Sequence, residues 1–187
     1  EIYSGWGSSE MQNSRYPISN GPNEDCAFFT DALKAGTRYG VIASSDCHAT
    51  LPGGNMNHRT DAFSLNNMNG FAHKGLTAVK SKDLSRENIF RNIQKRNTYA
   101  TTLPRSLVSL TLNETDMGQE IPLDNSLKKK RQINLKMTLE NNGNSKVSLM
   151  RNGEEFESKS LPNKNDGISL ISFEDTDPFD NIAIRNS

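Results

Sequence analysis

One segment of the chain combines residue types that could do chemistry. Val41-Ile42-Ala43-Ser44-Ser45-Asp46-Cys47-His48 carries an apolar, strand-like run straight into Asp-x-His. In an extended chain, side chains two apart point the same way. Asp46 and His48 are therefore expected to reach one point beyond the C-terminal end of that strand, where α/β folds place their active sites. A carboxylate and an imidazole together suit Zn²⁺, Mn²⁺ or Fe²⁺. Both residues are candidates for metal ligation and for catalysis. On spacing alone a polar pair on a surface loop is the better reading; the position at a strand exit brings the ligand reading level with it.

The other two histidines, His58 and His73, lie in or beside a long Gly- and Asn-rich stretch, residues 47–74. Each alone reads as a surface histidine. Arg59 and Lys74 adjoin them and would suit contacts to phosphate or carboxylate. His58, Arg59, His73 and Lys74 are accordingly candidate substrate-binding residues. No His-x-His occurs, so a complete metal cluster cannot be assembled from this chain.

The elements that must position these groups fall into two regions. Over residues 1–105, short apolar runs alternate with helix-like segments. Phe29, Ala32 and Leu33 recur at helical spacing, with Gly36 suited to the position past a helix end. Residues 39–44 read as a short buried strand, and Leu76-Thr77-Ala78-Val79 as the next. Ser85 is placed to cap a helix whose apolar stripe is Ile89, Phe90 and Ile93. Thr98-Tyr99-Ala100-Thr101-Thr102 reads as a further strand. Such alternation predicts an α/β layout with parallel strands. Beyond about residue 106 the segments are strand-like only: 107–112, 132–139, 146–150, 168–173 and 181–184. Asn141-Asn142-Gly143-Asn144 and Asn152-Gly153 between them are turn signals, since Asn and Gly tolerate positive φ. This predicts a small antiparallel β-sandwich. The basic run Lys128-Lys129-Lys130-Arg131 reads as a solvated loop.

Composition excludes more than it assigns. The 187 residues carry 22 Lys and Arg against 22 Asp and Glu, so no overall charge draws the chain to nucleic acid or to a membrane surface. No apolar run approaches the roughly 18–20 residues of a membrane span. The two cysteines, Cys26 and Cys47, are too few for a disulfide framework and read as free thiols, with a bridge between them as the alternative.

Several motifs together resemble a bacterial PHP-like family (polymerase and histidinol phosphatase), domain of unknown function 3604. They are Glu1-Ile2-Tyr3-Ser4-Gly5-Trp6-Gly7-Ser8-Ser9-Glu10, Ala32-Leu33-x-x-Gly36, Val41-Ile42-Ala43-Ser44-Ser45-Asp46-x-His48, Gly75-Leu76-Thr77-Ala78-Val79, Leu84-Ser85-Arg86-Glu87-x-x-Phe90 and Arg96-x-Thr98-Tyr99-Ala100-Thr101-Thr102. The stretches from Asn113 to Gly118 and Arg151-Asn152-Gly153 look like its C-terminal β region. The resemblance implies that residues 1–105 are the C-terminal part of a TIM-like (PHP-type) barrel and that 106–187 form the β-sandwich domain. It makes Asp46 and His48 the last ligand pair of a Zn or Mn cluster, with the earlier ligands N-terminal to Glu1. A full barrel takes roughly 250 residues, so self-association through the incomplete barrel is expected. The implied activity is metal-dependent hydrolysis of a phosphoester or similar small anionic substrate. A non-catalytic ligand- or partner-binding module and a hydrolase of a non-phosphate bond are the alternatives. A periplasmic or secreted location is favoured by the resemblance alone.

Overall fold

In the computed structural model the described residues are 1–18, 24, 26–46, 75–102, 105–122, 124–139, 145–161 and 167–178. They divide between two units, Glu1–Pro104 and Arg105–Ser187, each considered by itself.

The first unit opens with a two-residue hairpin. β1 (Tyr3–Ser4) and β2 (Gly7–Ser8) pair antiparallel across the turn Gly5-Trp6. Gly7 there has φ +122°, a conformation that suits only glycine. The chain leaving β2 supplies carbonyls to the start of α1 (Phe29–Lys34): Ser9 O accepts from Phe29 N–H at 2.9 Å and Glu10 O from Thr30 N–H at 3.0 Å. Two amides that a helix leaves without internal partners are thereby satisfied. The Asp31 carboxylate adds a third bond, accepting from Phe28 N–H at 3.1 Å. Gly36 ends the helix with φ +85°.

β3 (Leu76–Val79) and β4 (Thr98–Thr101) follow within one residue of the spans read from sequence, and α2 (Arg86–Gln94) starts after Ser85 and contains Ile89, Phe90 and Ile93, as read. Ser85 caps α2, its side chain accepting from Asn88 N–H at 3.4 Å. The pairing of these strands overturns the predicted layout. β3 and β4 run antiparallel, Leu76 opposite Thr101 and Val79 opposite Thr98, although a helix connects them. Among the described residues of this unit, parallel contact is confined to isolated bridges, Tyr3 with Ala43 and Ser8 with Pro17. Among the described residues there is no closed barrel, and the α/β, TIM-like reading is corrected to a set of small antiparallel sheets. Alternating strand-like and helix-like segments specify which elements form. They do not specify the direction in which strands pair, which only the ladder bonds decide. Strands of two to four residues are also shorter than a barrel wall needs.

Residues 39–44 differ from the buried strand expected of them. They run extended beside β1 without joining a ladder, and Tyr39 and Ile42 are exposed while Ala43 is buried. Leu84, Phe90 and Ile93 are likewise exposed, so the apolar stripe of α2 is only partly covered within the described residues.

The second unit holds a four-stranded antiparallel sheet in the order β10-β7-β5-β6. Its strands are β5 (Val108–Leu112), β6 (Thr115–Asp116), β7 (Arg131–Leu139) and β10 (Gly167–Asp175). A hairpin of β8 (Ser145–Arg151) and β9 (Glu154–Leu161) forms a second sheet. Its turn, Asn152-Gly153, has φ of 55° and 84°, the left-handed pair that a two-residue hairpin demands. Ile133, Leu161, Ile171 and Phe173 form the buried core, with Leu110, Leu112, Leu135, Met137, Val147 and Leu149 packed against it. β10 alternates buried Ile171, Phe173 and Asp175 with exposed Leu170, Ser172 and Glu174, as one covered sheet face requires. A short helix, α3 (Asn125–Lys129), was not legible in the pattern; Asp124 starts it by accepting from Leu127 N–H at 2.8 Å.

Arg131, the last residue of the basic run, is not solvated. It is 6% exposed and forms a two-pronged ion pair with Asp175, Nε to Oδ2 and Nη2 to Oδ1, both 2.9 Å. Nη1 donates to the Leu127 carbonyl at 2.7 Å, and Nη2 donates also to the Asp177 carbonyl at 2.6 Å. Arg151 joins from β8, donating to Asp175 Oδ1 and Asp177 Oδ2 at 2.7 Å each. This network ties the end of β10 to α3, β7 and β8.

Candidate functional site

The extended segment ending at Ser44 is held on two sides. Against β1, Ile2 N–H donates to Ile42 O at 2.9 Å and Ser44 N–H to Tyr3 O at 3.1 Å. Toward β3 a side chain takes the place of a backbone rung: the Thr77 hydroxyl donates to Ala43 O at 2.6 Å and accepts from Ala43 N–H at 2.9 Å. Thr98 Oγ1 donates to Val41 O at 2.7 Å. Gly75 N–H donates to Ser44 O at 2.9 Å. A Cβ at Gly75 would stand 2.7 Å from both Ala43 Cβ and Tyr3 O and 2.8 Å from Ser44 O, so only glycine allows this close approach. Buried Tyr3 packs its ring edgewise on Tyr16, centroids 6.3 Å apart. Burial, then the neighbouring Tyr16, pushes the Tyr3 phenol above its ordinary pKa.

This frame delivers Asp46 with φ +49°, a left-handed conformation uncommon outside glycine and best tolerated by Asp and Asn. Asp46 N–H donates to Ser44 Oγ at 3.3 Å, and the same hydroxyl donates to the Glu1 carboxylate. Glu1 and Asp46 then line one pocket of about 410 Å³, together with Ser4, Trp6, Ser9 and Ile18. Trp6 occupies the tip of the β1–β2 hairpin, its backbone N–H donating to Ser4 Oγ at 3.1 Å.

Of the residues singled out from sequence, Asp46 is placed in this pocket. His48, His58, Arg59, His73 and Lys74 lie outside the described residues. Because Asp46 is left-handed, the strand alternation used to aim Asp46 and His48 together does not continue through Asp46. Sequence reasoning did not single out Glu1, Ser44 or Trp6. One signal was available for the last: a large aromatic in a two-residue turn between short strands has no core to enter. Among the described residues no group of three or more His, Cys, Asp and Glu side chains comes together as a metal site. Cys26 is a free, exposed thiol.

Chemically, two carboxylates beside seryl hydroxyls and an indole offer hydrogen-bond acceptors and an aromatic wall. Carboxylate oxygens are hard ligands that suit divalent ions such as Mn²⁺ and Zn²⁺. Two of them fall short of the three protein ligands usual for a catalytic zinc.

The chain is similar to chlamydial proteins, each described as an uncharacterized protein. One of Chlamydia pneumoniae is 30% identical over 128 residues, covering 65% of this chain and 19% of that protein. One of Chlamydia muridarum is 28% identical over 162 residues, covering 82% of this chain and 24% of that protein. One of Chlamydia trachomatis serovar D is 29% identical over 126 residues, covering 65% and 19%. The chain thus spans about a fifth to a quarter of the length of the curated relatives it matches. No family model matches it, and no solved structure matches it. Among the described residues no helix is long and apolar enough to cross a membrane.

Proposed function

We propose that this chain contributes part of the site of a metal-dependent hydrolase acting on a phosphoester or similar anionic group, as the resemblance to PHP-like proteins implies. The observation that carries the reading is Asp46: an acidic residue in a left-handed conformation at the exit of an extended segment, lining a pocket with a second carboxylate. Non-glycine residues in such conformations gather at functional sites.

In this reading Asp46 and His48 hold a Zn²⁺ or Mn²⁺ ion. The ion, when bound, supplies Lewis acidity and lowers the pKa of water. Ser44 acts on the protein side. Its hydroxyl links the Asp46 backbone to the Glu1 carboxylate and so fixes where the Asp46 side chain starts. His48 binds as neutral imidazole, its second nitrogen hydrogen-bonded to set the ring. Arg59 and Lys74, with His58 and His73 beside them, offer donors to the anionic group.

This chain by itself is expected to hold metal weakly or not at all, so the test is elemental analysis of the full-length protein together with hydrolysis of a panel of phosphomonoesters and phosphodiesters. Asp46→Asn and His48→Ala are each expected to lose bound metal and turnover while keeping the Trp6 emission spectrum of a folded hairpin. Unchanged metal content and turnover in both variants would remove the reading.

A further inference from the structure

The extended segment that delivers Asp46 is gripped along both edges, and the two grips differ in kind. Ile42 and Ser44 face β1 through the backbone: Ile42 O accepts from Ile2 N–H at 2.9 Å, and Ser44 N–H donates to Tyr3 O at 3.1 Å. Val41 and Ala43 face the other way, because the polar groups of an extended chain alternate in direction. There they meet two threonine hydroxyls. Thr98 Oγ1 donates to Val41 O at 2.7 Å. Thr77 Oγ1 donates to Ala43 O at 2.6 Å and accepts from Ala43 N–H at 2.9 Å. Thr98 stands opposite Val79 in the β3–β4 pair, and Thr77 is two residues before Val79. Both hydroxyls therefore belong to one face of that pair. The segment meets a sheet face with its edge, and hydroxyls stand in for ladder rungs. Ala43 is buried, where an amide and a carbonyl without partners are costly; Thr77 satisfies both. The β-branch of threonine restricts χ1 and so aims the hydroxyl.

We infer that Thr77 is the positioning residue of this site: by holding both backbone groups of Ala43 it fixes where the chain turns out to Asp46. The two threonines are not equivalent in this. Thr98 holds Val41 by one bond, at the far end of the segment. Thr77 holds Ala43 by two, and the next residue, Ser44, is the one whose hydroxyl accepts from Asp46 N–H at 3.3 Å. The inference rests on the hydrolase reading for Asp46, and deepens it by naming what sets the ligand in place.

The experiment compares the full-length protein with its Thr77→Val, Thr77→Ser and Thr98→Val variants. Valine keeps the branched shape and removes only the hydroxyl; serine keeps the hydroxyl. Three quantities are measured: Zn²⁺ affinity by chelator competition, kcat and KM for p-nitrophenyl phosphate, and amide exchange at Ala43 and Ser44 without metal. Thr77→Val is expected to weaken Zn²⁺ binding about tenfold, the lower end of what losing a ligand-orienting group does. At saturating Zn²⁺ it is expected to lower kcat and leave KM little changed. Exchange at Ala43 and Ser44 is expected to quicken at least about tenfold. Thr77→Ser is expected to fall between wild type and Thr77→Val, its hydroxyl being less firmly aimed, and it keeps the comparison open where the valine variant does not fold. Thr98→Val is expected to lower the melting temperature as Thr77→Val does while leaving Zn²⁺ affinity near wild type, which separates positioning from stability. Equal loss of Zn²⁺ affinity in the two valine variants, no recovery in Thr77→Ser, or unchanged exchange at Ala43 and Ser44 would overturn the inference. A full-length protein that takes up no Zn²⁺ and hydrolyses nothing would remove the hydrolase reading, and the exchange rates would then decide by themselves whether Thr77 holds the exit to Asp46. Zn²⁺ binding and turnover indifferent to Thr77→Val would do the reverse.

Discussion

Removing the Asp175 side chain is the sharpest perturbation of the second unit. Asp175 is 3% exposed and accepts from Arg131 twice at 2.9 Å, from Arg151 at 2.7 Å and from Asp177 N–H at 3.1 Å. Burial alone would raise its pKa. The bonds from Arg131, Arg151 and the Asp177 backbone outweigh burial and hold the carboxyl at about 2, against an ordinary 3.8. That difference corresponds to roughly 2–3 kcal/mol of folded-state preference for the charged form. Truncation costs more, because it strands the Arg131 guanidinium away from water. Breaking one side of a buried pair typically costs about 3–5 kcal/mol. The neighbouring residue supplies the control. Glu174 pairs with Lys130 at 2.7 Å, but both side chains are about half exposed, and such pairs contribute roughly 0–1 kcal/mol. Asp175→Ala is therefore expected to lower the stability of the second unit by about 3–5 kcal/mol and Glu174→Ala by less than about 1 kcal/mol. Urea unfolding read by amide exchange in β7 and β10 peptides measures this. Trp6 and the four tyrosines all lie in the first unit, so their emission checks that the damage is local. The pH dependence has a definite sign. A depressed carboxylate pKa stabilises above the unfolded value and loses that contribution as pH falls from about 5 toward 2. In Asp175→Asn this part of the acid sensitivity should vanish. Equal, small costs for Asp175→Ala and Glu174→Ala would refute the reasoning.

Three further expectations follow from single positions. Gly75→Ala places a Cβ against the Tyr3 and Ser44 carbonyls and Ala43 Cβ, and should destabilise the first unit by about 1–3 kcal/mol; a melting temperature within a degree of wild type would contradict the close approach. Ser85→Ala removes the cap of α2 and should cost about 1 kcal/mol, visible as faster amide exchange in the first turn of α2 and unchanged exchange in β7. Phe173→Ala empties the most buried side chain of the second unit's core and should cost about 3–5 kcal/mol, read from the urea midpoint of β10 exchange.

How much of this was legible from residues depends on the range of the interaction. Ser85 as a cap, Gly36 past α1, Asn152-Gly153 as a hairpin turn and the spans of β3 and β4 all follow from local rules, because a few neighbouring residues decide them. Asp46 was singled out on signals of the same local kind, its residue type and its place after a strand-like apolar run, although residues 39–44 join no ladder in the structure. Strand direction was not. β3 and β4 pair antiparallel around an intervening helix, and the alternation that suggested a parallel barrel carries no information on which carbonyl meets which amide. The role of Arg131 was equally hidden. In the sequence it ends a basic run, while its partner Asp175 lies 44 residues away. The pocket depends on the same kind of distant meeting. Glu1 and Trp6 reach Asp46 only because the extended segment lies beside β1 and Gly75 lets the chain pass within contact of it. Pattern and propensity act over one or two turns of chain; pairing, burial and site assembly act between residues that only folding brings together, and tertiary structure alone decided those.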